Sequence, residues 1–170
     1  MLYLAFLAVS FMLTYAALFV LFPLFFTGRL ARPSGHSIVS LALILGGLLA
    51  TFVVVVLVHE HDRVLANRVL HALGGGVLSF FVCYLVVRDT RLAIGRFQFL
   101  VFSALVVTAL GVGNEILEFF FAIWLRVDFQ SDGFDTWLDL ISNAVGTAAG
   151  ALVFVPLLGL RRPRPAVRPA

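Results

Sequence analysis

Lysine is missing from this chain of 170 residues, so all twelve basic side chains are arginine. Charge of either sign is scarce: charged residues make up 12% of the sequence, against about 25% in an average soluble domain. Hydrophobic residues reach 62% and the mean hydropathy is +1.08, which excludes a water-soluble globular domain and a disordered chain alike. Cysteine occurs once, as Cys83 inside an apolar run. That excludes an intrachain disulfide and any multi-cysteine metal motif, and makes Cys83 a small buried filler. Long repeats are absent, and the one biased segment is the tail Arg161-Arg162-Pro163-Arg164-Pro165. A net charge of +3 with a pI near 9.8 would suggest a nucleic-acid partner in a soluble protein. Here the arginines sit in short loops and the tail, where they orient a membrane chain, so no nucleic acid is expected.

Five apolar runs are long enough to cross a hydrocarbon core, which takes about 20 helical residues. They lie at about 2–27, 37–58, 69–87, 97–125 and 136–160. The expected fold is all-α: a polytopic bundle of five transmembrane helices forming one domain over 1–160, followed by a basic cytoplasmic tail, 161–170. The first run has no basic flank and exceeds the roughly 7–15 residues of a signal-peptide core, so it reads as a retained helix. It is rich in aromatics and nearly featureless, so it could face lipid, a membrane-protein partner or a second copy of the chain.

Nine of the twelve arginines fall in the first and third loops and the tail, while eight of the nine carboxylates fall on the opposite side. By the positive-inside rule the N-terminus is outside, the C-terminus is cytoplasmic and the acids are outside. An even number of spans would spoil this agreement. Trp124 and Trp137 flank the loop between the fourth and fifth helices, where an aromatic belt would sit.

The fifth run carries Asp135, Asp139, Asn143, Gly146 and Gly150. On a helical projection these span about 80°, one narrow stripe that should face protein or a water-filled cleft. Gly146 and Gly150 form a small-xxx-small pair that lets another helix approach. The fourth run carries Asn114, Glu115 and Glu118, near the outer edge of the core, with the two glutamates on one face. Two carboxylates so close in low dielectric call for a shared proton or an intervening cation. His71 stands at the same depth, ahead of Gly74-Gly75-Gly76.

The candidate site is therefore His71, Glu115, Glu118, Asp135, Asp139 and Asn143. The four carboxylates could hold a divalent metal such as Mg²⁺, Mn²⁺ or Zn²⁺, with His71 as a further ligand. The same groups suit proton relay or acid–base catalysis, with His71 as base and Asn143 orienting a partner. No serine or cysteine stands out as a nucleophile. Two other strings carry less. Pro33-Ser34-Gly35-His36 looks like a motif of phosphatidic-acid-type phosphatases, but its partner motifs are missing and it falls on the side away from the acids. His59-Glu60-His61-Asp62 has the wrong spacing for a helical zinc motif and reads as a solvated loop.

The combination Gly113-Asn114-Glu115-Ile116-Leu117-Glu118-Phe119, Asp135-Thr136-Trp137-Leu138-Asp139, Asn143 and Gly146, with His71, resembles the YjdF-like inner-membrane proteins and the neighbouring VanZ-like group. The resemblance covers about residues 60–155. It implies a multi-pass protein of a bacterial or archaeal cell membrane with a polar outer site. VanZ-like proteins are associated with low-level tolerance of a glycopeptide antibiotic; the resemblance names no substrate. Three functions remain open at this stage. One is an enzyme acting on a lipid or lipid-linked headgroup, another a non-enzymatic module binding lipid or a membrane partner. The third is a small ion-coupled carrier, for which no inverted repeat and no midplane acid are found.

Overall fold

The computed structural model describes residues 2–31, 36–125 and 133–158. The loop bearing Arg126, Asp128 and Asp132, the Pro33-Ser34-Gly35 string and the basic tail lie outside the described residues. Five helices span the fold: α1 (Leu2–Thr27), α2 (His36–His59), α3 (Arg63–Thr90), α4 (Arg96–Leu125) and α5 (Gly133–Leu158). Each is long and apolar enough to cross a membrane, and no strand occurs among the described residues. The protein is an all-helical, multi-pass membrane protein.

The third helix differs from its expected span. It begins at Arg63 rather than near 69, because Asp62 caps it: the carboxylate accepts the Leu65 N–H at 3.0 Å. Two polar residues expected in the loop, Asn67 and Arg68, are thus helical. The helix is α-helical over Arg63–Leu70, a π-helix over His71–Leu78 and α-helical again over Ser79–Thr90. The wider π turn accompanies the triple glycine, and the Ser79 hydroxyl donates to the Gly74 carbonyl at 3.2 Å. The helix ends where Arg91 turns left-handed at φ 53°.

α3 is the central element, and α5 packs on it most closely. A Cβ placed on Gly76 would lie 2.5 Å from the Gly146 Cα, and one on Gly150 would lie 2.9 Å from the Phe80 Cβ. The stripe found on the fifth run therefore faces α3. Its glycines let two backbones touch, which is how membrane helices gain packing energy where lipid removes the hydrophobic drive. Below this contact Phe80, Val82, Cys83, Leu85, Val86 and Phe99 are fully buried. Cys83 sits in that core as a filler.

At the end of α3 away from His71, Asp89 is buried among three helices. It accepts from the Tyr15 hydroxyl of α1 at 2.6 Å, from the Ser40 hydroxyl of α2, and from Arg88 Nε at 2.9 Å. Arg88 also donates to Ser40. The sequence offered no reason to expect this clamp, since Asp89 stood as the one acid on the arginine-rich side. Charged hydrogen bonds of this kind are worth about 1.5–3 kcal/mol. Asp89→Asn should therefore lower the detergent-solubilised melting temperature by several degrees, and Tyr15→Phe by less. Equal melting of all three proteins would mean that the clamp carries no stability.

Candidate functional site

The predicted residues come from three helices and meet at one end of the bundle. α5 presents Asp135, Asp139 and Asn143 at successive turns, and α4 presents Asn114, Glu115 and Glu118. α3 presents His71 at the first residue of the π segment. His71, Glu115, Asp139 and Asn143 are at most 8% exposed. Polar groups this deep are costly unless paired, so their partners define the site.

Asp139 is the best-held of them. It pairs with Arg68 Nη1 and accepts from Asn67 Nδ2 at 3.0 and 3.3 Å. Its other face meets His71 Nε2 at 3.4 Å. Asp135 pairs with Arg68 Nη2. The guanidinium thus bridges two carboxylates a helical turn apart with one nitrogen to each, which its planar fork of donors allows. On the far side of the imidazole, His71 Nδ1 stands 4.0 Å from Glu115 Oε1. That oxygen is buried with no hydrogen-bond partner. Glu118 accepts from Asn114 Nδ2 at 2.6 Å. Asn143 lies over Gly75 and beside Gly111, where a Cβ would come 2.9 Å from its Nδ2; its Oδ1 is also buried and unpartnered.

The four expected carboxylates do not converge on one point. Arg68 occupies Asp135 and part of Asp139, and Asn114 holds Glu118. The donors that do approach one another are His71, Glu115 and Asp139, with ligand atoms all within 4.8 Å. One imidazole nitrogen and two carboxylate oxygens at this proximity are a donor set that could hold a divalent cation. The imidazole turns one nitrogen to each carboxylate, an arrangement suited to passing a proton. Arg68 and Asn67 are site residues that sequence reading missed. The signal was present: they stand three and four positions before His71, on the same helical face.

A cavity of about 500 Å³ opens beside this cluster. His71, Asn114, Glu118 and Asn143 line its polar end. The rest is mostly apolar, with Phe6, Phe11, Leu48, Leu110 and Leu117 among its walls, together with Ser10, Thr14 and Ser79. Such a volume falls in the range of small-molecule sites, roughly 300–1,000 Å³. Of the acid–imidazole–acid trio, the imidazole faces the cavity and the two carboxylates lie behind it.

A membrane bundle with a buried polar cluster at the mouth of an apolar cavity is the class these features define. The chain belongs to the DUF2238 family of predicted membrane proteins, whose profile matches residues 2–159. The match takes in α1 and α2, beyond the stretch from about 60 to 155 in which the sequence resemblance was found. No curated protein and no solved structure matches the chain.

Proposed function

We propose that this protein acts on a lipid or lipid-linked amphiphile, holding its apolar part in the cavity and its polar group against His71 for acid–base chemistry. The observation that carries this reading is the junction itself. One cavity joins apolar walls to a buried imidazole flanked by carboxylates at 3.4 and 4.0 Å. Asp139, anchored by Arg68 and Asn67, would orient His71 and offset positive charge on it. His71 would take a proton from a hydroxyl or water, and Glu115 would receive or return it. Asn143, its amide packed between Gly75 and Gly111, would form the wall against which the reacting group sits. General acid–base groups of this kind contribute about 10²–10⁴-fold.

The arginine distribution supports placing this end of the bundle at the outer face. The likeness to YjdF-like and VanZ-like proteins supports a bacterial or archaeal cell membrane and an envelope role. A second reading has the donors of His71, Glu115 and Asp139 closing on a divalent cation, favoured by their mutual approach within 4.8 Å. A third is that of a module that binds lipid without turnover.

Proteoliposomes made with a total polar lipid extract test the choice. Lipid composition is followed over time by mass spectrometry, with the parent beside His71→Gln and with bound metal measured in both. The expected result is headgroup conversion of one lipid class by the parent, reduced about a hundredfold or more in the variant. Unchanged lipids with both proteins would overturn the enzymatic reading. A stoichiometric metal in the parent, lost in the variant along with turnover, would favour the cation reading.

A further inference from the structure

The way into the cavity is visible in the packing of α1. Its second half is fixed: Tyr15, Leu18 and Phe22 are buried, and Phe22, Phe25 and Phe26 each place a ring about 5 Å from Phe102 of α4. The contact is made by side chains: among the described residues no Cα of α1 lies within 8 Å of one in α4. The cavity occupies the gap, bounded by Phe6, Ser10 and Thr14 on one side and by Ala109, Gly113 and Leu117 on the other. Phe6 and Leu117 are about half exposed there, on a surface that meets lipid in a membrane-spanning bundle. From Ala109 to Glu118 the α4 wall runs roughly 13 Å at about 1.5 Å per residue. That is close to half of a core about 30 Å thick, the depth of one leaflet.

The polar end has its own preference. Arg68 is committed to Asp135 and Asp139. Glu118 lines the cavity, and among the described residues its side-chain hydrogen-bond donor is the neutral Asn114. Asn143 lines the cavity with its Oδ1 packed against Gly75. A cavity-lining carboxylate held by a neutral amide in low dielectric favours a positively charged donor and repels an anion.

From this opening and the acceptor at its polar end we infer that the cavity receives one hydrocarbon chain of a bilayer lipid sideways, between α1 and α4, and that the headgroup, seated at Glu118 beside His71, carries an amine. This rests on the amphiphile reading above and adds the route and the headgroup class. It leaves open whether turnover follows.

Native mass spectrometry from mild detergent tests it, with phosphatidylethanolamine and phosphatidylglycerol of identical chains as probes. A Cβ at Gly113 meets nothing within 4 Å, so Gly113→Trp can fill the cavity without moving backbone. The parent should retain one phosphatidylethanolamine, with a preference of about tenfold over phosphatidylglycerol. Gly113→Trp, shown folded by an unchanged melting profile, should retain neither. Glu118→Gln should keep a lipid but lose the preference. Retention by Gly113→Trp equal to the parent would overturn the route, and equal binding of both lipids by the parent would overturn the headgroup. Either failure leaves the acid–base reading standing on the proteoliposome result. A divalent-metal adduct in place of any lipid would sink both the inference and the amphiphile reading.

Discussion

Gly146→Val should yield no folded bundle. The Gly146 Cβ would be driven into the Ala72 carbonyl carbon and oxygen, and both atoms are backbone in the π segment. A flexible side chain could move aside, but here α5 would have to separate from α3. That separation would open the Gly76 contact and withdraw Asn143 and Asp139 from the site together. Overpacking a core costs about 1–3 kcal/mol when side chains can yield, and more when they cannot. The check is the monodisperse fraction on size exclusion in detergent, with Gly113→Ala as control because its Cβ enters open space. Gly146→Val is expected to aggregate or be lost, and the control to behave as the parent. A monodisperse Gly146→Val with parental melting would contradict the close backbone packing.

Arg68→Leu should be the most damaging single change among the site's charged residues. Asp139 is 2% exposed, and its charge is answered by Arg68 and by hydrogen bonds from Asn67. Removing one partner of a buried ion pair typically costs about 3–5 kcal/mol, because the remaining charge stays buried. The double variant Arg68→Leu with Asp139→Asn removes that orphan charge and should recover a large part of the loss. Thermal melting of the two single variants, the double and the parent forms the cycle. Additive effects would mean that Arg68 and Asp139 do not act as a pair.

The spans were legible because apolar length alone decides them in a membrane, and the Asp135-to-Gly150 stripe because helical periodicity places polar residues on one face. Three features were not. Arg68 read as a loop charge that orients the chain, since its pairing with Asp135 and Asp139 depends on α5, nearly seventy residues away. The π segment at His71 has no periodicity signature of its own; the glycines hint at distortion without specifying it. The cavity lies between α1 and α4, and in sequence the aromatic first run is uniform on all its faces. Asp89 illustrates the same limit: an acid in a basic loop gives no sign that Tyr15 and Ser40 converge on it.

The central claim is that the gap between α1 and α4 is an amphiphile site ending at His71. An experimental density map of the protein in a lipid nanodisc tests it most directly. The expected result is one continuous chain of density between Phe6 and Leu117, ending in a polar group within hydrogen-bond distance of Glu118 beside His71. An α1 closed against α4 along its whole length, with no cavity beside His71, would contradict it.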